Sequence, residues 1–219
     1  VTTLEVRIAV IGNVDSGKST LVGVLTKGQL DNGRGSSRSL VFRHRHEIES
    51  GRTSSVSQQV MGFSASGEIT NYVTGIARPA TQQEVVKNSS KMLTFIDLAG
   101  HEHYLKTTIF GMTGALPDYG MLMLGANMGV QRMTKEHLGI ALALNLPFFL
   151  VVTKIDIAPV HILKQTMKKM RGILKSRNVN KMPFRVKNMG DVLSVVKSIH
   201  GGRVVPVFRV SNVTGEGLD

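Results

Sequence analysis

Residues Gly12–Ser19 have the sequence GNVDSGKS, in which four residues separate two glycines and a lysine and a serine follow. This spacing is typical of a phosphate-binding loop, because the glycines let the backbone curl until its N–H groups face a phosphate. The apolar run Val6–Ile11 precedes the loop and the helix-length segment Lys18–Thr26 follows it, as such a loop requires. We therefore predict that Lys18 contacts the outer phosphates of a nucleotide and that the Ser19 hydroxyl binds Mg²⁺. The predicted phosphate contacts are Asn13, Val14, Asp15, Ser16, Gly17, Lys18, Ser19 and Thr20.

Short apolar runs alternate with helix-length segments along the chain, a pattern typical of an α/β fold. Because continuous apolar runs favour buried parallel strands, we predict a P-loop NTPase fold, a mostly parallel, doubly wound sheet with helices on both faces. The predicted strands are Val6–Ile11, Met92–Ile96, Met121–Leu124, Phe148–Val152 and Val204–Val210. The predicted helices are Lys18–Thr26, Tyr104–Thr113, Thr134–Leu144 and Val160–Ser176. We also expect a hairpin of Val56–Phe63 and Glu68–Val73, a mobile loop over Gln29–Ser39 and an irregular segment over residues 77–90.

The composition limits the class of protein. The 27 Lys and Arg against 15 Asp and Glu give a net charge of +12, which favours polyanionic partners such as nucleic acids, nucleotides or an anionic membrane surface. The absence of cysteine excludes a disulfide scaffold and thiol-ligated metal sites. No apolar run reaches the roughly 18 residues that a membrane-spanning helix needs. We therefore expect a soluble protein, located in the cytoplasm.

Two later segments distinguish a guanine nucleotide from an adenine nucleotide. Thr153-Lys154-Ile155-Asp156 follows a predicted strand, and an aspartate there can accept hydrogen bonds from both N1–H and the exocyclic amine of guanine. Adenine offers no such donor pair and would leave the carboxylate unpaired. Ser211-Asn212-Val213 follows the last predicted strand, where a backbone N–H can meet guanine O6. These segments predict GTP or GDP as the ligand, bound through Thr153, Lys154, Asp156, Ser211, Asn212 and Val213.

A further motif, Asp97-Leu98-Ala99-Gly100-His101, follows the predicted strand Met92–Ile96. The Asp97 carboxylate can hold Mg²⁺ through a water, and the Gly100 N–H can contact the γ-phosphate. Lys18, Asp97, Asp156 and Ser211 follow one another in the order expected of a GTPase domain. We therefore predict an enzyme that hydrolyses GTP to GDP and phosphate.

Several stretches resemble translational GTPases. Gly12–Ser19 is similar to their Gly-His-Val-Asp-His-Gly-Lys-Thr loop, with Val14 and Asp15 matched, and Asp97–His101 is similar to their Asp-x-x-Gly-His segment. A closer similarity points to the GTP-binding protein 1 and 2 family, elongation-factor-like GTPases of eukaryotes. It is carried by Leu30–Gly35, Phe42–Ser55 and Thr94–Thr113, and the resemblance covers nearly the whole chain.

The resemblance implies roles for four residues. Thr53 matches the switch I threonine that completes Mg²⁺ coordination in the GTP state, and Gly100 matches the switch II glycine that senses the γ-phosphate. His101 matches the histidine that orients the attacking water once the sarcin–ricin loop of ribosomal RNA has positioned it. Asp15 matches an aspartate proposed to hold a monovalent cation. The implied catalytic residues are thus His101, Lys18, Thr53 and Gly100, and the implied metal ligands are Ser19, Thr53 and Asp97.

The resemblance also implies partners and a domain organisation. It implies action with the ribosome, in elongation, rescue or mRNA surveillance, and contact with aminoacyl-tRNA through domains that this chain lacks. We expect one GTP-binding domain over residues 1–219, cut before its C-terminal helix and without the following β-barrel domains. We expect no membrane partner, and a monomer. One departure concerns Thr153, which replaces the usual Asn and, being smaller, should hold the P-loop less firmly.

Two alternative functions remain open from the sequence alone. A regulatory switch would bind a protein effector in its GTP state, away from ribosomes. An RNA-binding protein could use its GTP site for affinity rather than turnover. The segment between Asp156 and Asp191 bears on this choice, because it has nine Lys or Arg and no acidic residue. Lys164, Lys168, Arg171 and Lys175 form one stripe of the predicted helix there, which is either a solvated face or a contact with the phosphates of ribosomal RNA.

Hydrophobic periodicity assigns the other side chains of that helix to the core, namely Val160, Leu163, Met167, Met170 and Leu174. Met121, Met123 and Met128 are likewise interpreted as packing residues. His44, His46 and His103 raise the question of a metal site, but the alternation of Arg and His over residues 43–46 favours a solvated basic face.

Overall fold

The computed structural model describes residues 4–42, 44–72 and 80–218. Seven strands form one sheet: β1 (Leu4–Gly12), β2 (Ser57–Phe63), β3 (Lys91–Asp97), β4 (Tyr119–Gly125), β5 (Phe148–Thr153), β6 (Met182–Arg185) and β7 (Val204–Arg209). The helices are α1 (Lys18–Lys27), α2 (Ser36–Ser39), α3 (Arg45–Ser50), α4 (Gln82–Asn88), α5 (Leu105–Gly114), α6 (Arg132–Ala143), α7 (Val160–Lys175) and α8 (Met189–Ile199). A 3₁₀ turn, Glu102–Tyr104, precedes α5.

The sheet has the strand order β2-β3-β1-β4-β5-β7-β6, and among these seven strands of the described residues only β2 and β3 pair in antiparallel fashion. All five predicted strands and all four predicted helices are present, with ends that differ by no more than two residues. The predicted P-loop NTPase architecture is therefore confirmed. Strand register brings Gly12, Asp97 and Thr153 to the same carboxyl edge of the sheet, where ligands of such folds bind.

The core consists of two layers because both faces of the sheet are covered. Alternation along β1 sends Ala9 and Ile11 to the layer beneath α6 and α7, and Ile8 and Val10 to the layer beneath α1. Met121 and Met123 belong to the second layer, as predicted. Two packing assignments are wrong: Met128 is 42% exposed and Val160 is 67% exposed. Val160 is the first residue of α7, beyond the part of the helix that contacts the sheet.

The predictions for the polar segments need three corrections. Residues 82–88 are helical, because the Thr81 hydroxyl accepts the Glu84 N–H and the Glu84 carboxylate accepts the Thr81 N–H. This capping box is a sequence signal that the polar composition of the segment obscured. In the predicted hairpin, the first strand is present as β2, but within the described residues 68–72 the second strand is reduced to a single bridge, Phe63 to Ile69. Val73 and residues 77–79 lie outside the described residues.

The expected mobile loop Gln29–Ser39 is instead organised around one carboxylate. Asp31 accepts the N–H groups of Gly33, Gly35 and Ser37, and α2 ends this segment. Two elements at the other end of the chain, β6 and α8, were not predicted, because a four-residue strand and a helix with exposed apolar residues give weak periodicity. Within the described residues, no helix is long and apolar enough to cross a membrane.

Candidate active site

The loop between β1 and α1 has a backbone conformation that only a few residue types adopt. Gly12 and Gly17 have φ angles of 144° and 82°, and Asp15 has a φ of 58°. A Cβ on Gly12 would lie 2.5 Å from the carbonyl oxygen of Met123 on β4. Both glycines are therefore needed for the curled backbone that the sequence motif predicts. The Ser16 hydroxyl donates to the Asn13 carbonyl at 2.8 Å, which stabilises the turn from inside.

Lys18 is buried at the start of α1 and points back into this loop. Its ammonium group donates to the carbonyl oxygens of Gly12 at 3.2 Å and Asn13 at 2.9 Å. Burial lowers the pKa of Lys18 from 10.5 to about 8, although the charges of Asp97 and Asp15 act in the opposite direction. A buried ammonium group held by only two carbonyls is well suited to bind a phosphate, which would restore a full counter-charge.

Three side-chain oxygens meet beside Lys18. The Ser19 hydroxyl donates to Oδ2 of Asp97 at 2.5 Å and lies 2.8 Å from the Thr53 hydroxyl. Oδ1 of Asp97 is buried and has no hydrogen-bond partner among the described residues. Burial raises the pKa of Asp97 to about 6, against the opposing effects of Lys18 and Ser19. Hard oxygen donors around an unpaired carboxylate oxygen fit Mg²⁺, so these residues could hold that ion.

The position of Thr53 depends on Glu47, which sequence reasoning missed. Glu47 is 1% exposed, and its Oε1 accepts the backbone N–H of Ser54 at 2.8 Å and of Ser55 at 3.2 Å, together with both hydroxyls. Burial alone would raise the pKa of Glu47, but these hydrogen bonds and one from the His44 N–H outweigh it and lower the pKa to about 2. Glu47 thus holds the backbone next to Thr53, whose hydroxyl lies beside that of Ser19. Glu47 is in the first turn of α3, and no sequence motif indicates this role.

We expect Glu47→Gln to destabilise the fold by about 1–3 kcal/mol, since the change removes the charge that four hydrogen bonds of Ser54 and Ser55 require. Glu49→Gln, on an exposed face of the same helix, should change stability by less than about 0.5 kcal/mol. Because the folded pKa of Glu47 lies below the unfolded value of 4.5, its contribution is complete above pH 4.5 and is lost as the pH falls towards 2. Urea unfolding between pH 2 and 7 measures both effects, and equal pH profiles for Glu47→Gln and wild type would contradict the role.

Gly100 and His101 enter the same cleft from the end of β3. A Cβ on Gly100 would lie 2.7 Å from the Gly12 carbonyl oxygen and would also collide with the Lys18 ammonium group. Nδ1 of His101 accepts the backbone N–H of His103 at 3.2 Å. This contact selects the tautomer with its proton on Nε2, so that Nε2 can donate to a water. The His101 ring is partly exposed and forms an edge contact with Tyr104 at 6.3 Å.

A cleft beside the P-loop brings most of the predicted site residues together. Three further residues, Arg38, Gly51 and Arg52, also line it, and none of them is among the predicted contact, catalytic or metal-binding residues. A Cβ on Gly51 would lie 2.8 Å from the Arg38 guanidinium, so Arg38 lies across the switch I backbone. The predicted residues in the cleft wall are Val14, Asp15, Gly17, Lys18, Ser19, Thr20, Thr53, Gly100, His101 and Lys154.

The predicted base-binding segments adjoin this cleft at the ends of β5 and β7. The Thr153 hydroxyl donates to the Ser16 carbonyl at 2.8 Å, so the smaller side chain still contacts the P-loop. Lys154 has a φ of 60°, and Asp156 is exposed. After β7, the Ser211 N–H donates to the Glu216 carbonyl and the Val213 N–H donates to the Ser211 hydroxyl. The Asn212 N–H, between them, has no acceptor in the described chain.

His137 is a further residue that the sequence did not reveal. It is fully buried on α6, and its Nδ1 accepts the Gly12 N–H at 2.8 Å, where β1 enters the P-loop. Burial and the charge of Lys18 lower the pKa of His137 to about 4, so the ring is neutral at physiological pH. His137 therefore holds the start of the P-loop against α6. The sequence showed only a polar residue on the buried face of a helix, which does not predict this contact.

Comparison with known proteins agrees with this geometry. The sequence profile of the family described as "Elongation factor Tu GTP binding domain" matches residues 4–219. GTP-binding protein 1 of Xenopus laevis is 56% identical over 216 residues, and GTP-binding protein 2 of Homo sapiens is 49% identical over 217. The similarity to GTP-binding proteins 1 and 2 is thereby confirmed. Each alignment covers 99% of this chain but only 33% and 35% of the relative, so the chain spans about a third of their length.

Solved structures show the same fold at lower sequence identity. A bacterial selenocysteine-specific elongation factor EF-Sec superposes with a TM-score of 0.64 at 20% identity, covering 99% of this chain and 27% of the other. The elongation factor SelB from Methanococcus maripaludis, in complex with the GTP analogue GPPNHP, superposes with a TM-score of 0.60 at 18% identity. That alignment covers all of this chain and 32% of SelB. At these identities the structures show the fold alone.

Proposed function

The chain belongs to the family of elongation factor Tu GTP-binding domains, and on this premise we propose that it hydrolyses GTP to GDP and phosphate with Mg²⁺, acting with the ribosome. The observation that carries the proposal is the convergence of Ser19, Thr53 and Asp97 beside the buried Lys18, with one Asp97 oxygen unpaired. We propose further that the chain forms a single GTP-binding domain, monomeric and cytoplasmic, since its partner would be the ribosome.

The residues of the cleft would act mainly by positioning and charge stabilisation. Lys18 and the P-loop N–H groups would bind the β- and γ-phosphates, and Gly100 would leave room for the γ-phosphate between β3 and the P-loop. His101 would orient the attacking water through its Nε2 proton. Mg²⁺, held by Ser19, Thr53 and Asp97, would supply neutralising charge on the phosphates. Asp15 stands beside this arrangement as the candidate ligand of a monovalent cation.

Guanine specificity would reside in Lys154, Asp156 and the loop after β7. The Asp156 carboxylate would accept the two donors of guanine, while the aliphatic stem of Lys154 lies along the base. Because the Ser211 and Val213 N–H groups are already bonded, the Asn212 N–H is the donor for guanine O6. Through its hydrogen bond to the Ser16 carbonyl, Thr153 would keep the P-loop at a fixed distance from the base-binding segment.

The ribosomal role is supported by the family and by the position of His101. The ring is partly exposed, and the hydrogen bond that it accepts comes from the His103 N–H. An external surface such as the sarcin–ricin loop would therefore be needed to orient the ring toward the phosphates. Aminoacyl-tRNA would be bound through domains beyond this chain. Elongation, ribosome rescue and mRNA surveillance all fit such an activity, since each needs a GTPase that the ribosome triggers.

Single-turnover GTP hydrolysis, measured with and without purified ribosomes, tests the proposal. We expect slow intrinsic hydrolysis and stimulation of roughly 10³-fold or more by ribosomes, in the range known for external activation of GTPases. Ribosomes whose sarcin–ricin loop has been cut are the matched control and should stimulate weakly. An unchanged slow rate despite tight GTP binding would contradict the ribosomal role and favour a switch that responds to a protein activator.

A further inference from the structure

Three arginines from different elements line one cleft on the α7 side of the sheet. Arg171 lies on α7, Arg185 ends β6, and Arg209 ends β7. Together these three side chains form the arginine cluster. Apolar side chains form the rest of the cleft wall, namely Leu150, Met167, Met170, Leu174, Pro183 and Val207.

The arginine cluster has no counter-charge within the described chain. No carboxylate there forms an ion pair or hydrogen bond with any of the three side chains, and Nε of Arg209 is buried without an acceptor. Burial, together with the charges of Arg185 and Arg171, lowers the pKa of Arg209 below its ordinary value. An anion bound beside the arginine cluster would supply an acceptor for Nε of Arg209 and would offset the repulsion among three like charges.

We propose that the arginine cluster is a binding site for a phosphodiester group of RNA, separate from the nucleotide cleft. Guanidinium groups bind phosphate through paired N–H donors, and the apolar wall strengthens that attraction by lowering the local dielectric constant. Arg185 and Arg209 also line a second, wider cleft with Lys187, so the positive surface continues toward the carboxyl edge of the sheet. Glu216 is the acidic residue on the wall of that second cleft.

RNA fits this surface better than a free anion or a membrane. The exposed Lys164, Lys168 and Lys175 lie on the same helix as Arg171 and extend the charge into a line, as a chain of phosphates requires. A lipid surface would need the cations to project from a flat face, whereas Arg209 lines a cleft and its Nε atom is buried. The choice of RNA rests on the proposed ribosomal function, but the site can be tested without GTP hydrolysis.

The first test measures thermal stability with a non-hydrolysable GTP analogue and Mg²⁺ at saturation, so that the β- and γ-phosphate positions of the P-loop are already filled. Inorganic phosphate should raise the melting temperature of the wild type relative to chloride at equal ionic strength. Arg171→Gln/Arg185→Gln, which changes only exposed residues, should abolish that rise. Arg209→Met should also abolish it, because the change removes the guanidinium whose Nε is buried without an acceptor. A rise that persists in both variants would overturn the site.

The second test measures the affinity for a labelled RNA hairpin as a function of salt. We expect Arg171→Gln/Arg185→Gln to weaken binding about tenfold and to lower the slope of log K against log salt by about one. The matched control, Lys87→Gln/Lys91→Gln, removes the same charge from exposed residues near the opposite edge of the sheet and should cost less than about threefold. Equal losses of RNA affinity in the two variants would show that binding depends on net charge alone, and would overturn the proposal.

The remaining outcomes separate the proposal from its rivals and from the proposed function. Phosphate-dependent stabilisation without any loss of RNA binding would assign a small anion to the site, and overturn RNA as its ligand. Binding to phosphatidylserine vesicles that needs the cluster, in place of RNA binding, would assign a membrane and overturn it too. GTP affinity should be unchanged in every variant. Cluster-dependent RNA binding without ribosome-stimulated hydrolysis would contradict the proposed function while supporting the site.

Discussion

His101→Ala is expected to reduce ribosome-stimulated GTP hydrolysis by about 10³-fold while leaving GTP affinity within about twofold of wild type. The reason is geometric, because His101 lines the cleft but its ring accepts a hydrogen bond from the His103 N–H and not from the P-loop. Removing it leaves Lys18, Ser19 and Asp97 in place, so binding should survive. Single-turnover rates with saturating ribosomes, together with equilibrium binding of a fluorescent GTP analogue, measure the two quantities separately.

His103→Ala is the matched control for this prediction. His103 is exposed and contributes its backbone N–H, not its ring, to Nδ1 of His101. Truncating the His103 side chain therefore preserves the tautomer of His101 and should cost little activity. If His103→Ala reduced hydrolysis as strongly as His101→Ala, the effect would belong to the surface around both rings and the assignment of His101 to the water would be wrong.

The parts of the site that could be predicted from sequence are those in which a residue type at a given spacing is compatible with one backbone conformation or one contact. The P-loop glycines are an example, since their positive φ angles and the close approach of Gly12 to β4 follow from the motif. Asp97 and Thr153 were located by the ends of apolar runs, because parallel strands bring their carboxyl ends to one edge. Alternation and apolar run length were sufficient for the central sheet.

The contributions that could not be predicted come from side chains whose partners lie far away in the sequence. His137 contacts Gly12 across 125 residues, and nothing in the local pattern of α6 marks it. Glu47 has an ordinary helical position, yet it fixes Ser54 and Ser55. The arginine cluster combines α7, β6 and β7, and β6 was not predicted. For the segment before β3, polar composition outweighed the capping box at Thr81, so a local signal was present but was misjudged.

Asp156→Asn should change the preferred nucleotide from guanine to xanthine. In the proposed binding mode the wild-type carboxylate accepts from N1–H and from the exocyclic amine, whereas an asparagine amide would face that amine with its own N–H₂. Two donors would then oppose each other, and we expect GTP affinity to fall by about 10³- to 10⁵-fold. Xanthosine triphosphate has a carbonyl in place of the amine, so it should bind the variant well and the wild type poorly.

Inosine triphosphate, which lacks the exocyclic amine altogether, shows whether the Asp156 carboxylate recognises that group. Wild type should bind it about tenfold or more weakly than GTP, because one hydrogen bond to a charged acceptor is lost. In Asp156→Ala the difference between the two nucleotides should disappear, since neither retains a partner there. Competition binding with all three nucleotides measures both comparisons on the same preparation. If Asp156→Ala still preferred GTP to inosine triphosphate, another group would have to contact the amine, and the exposed position of Asp156 would be explained by solvation alone.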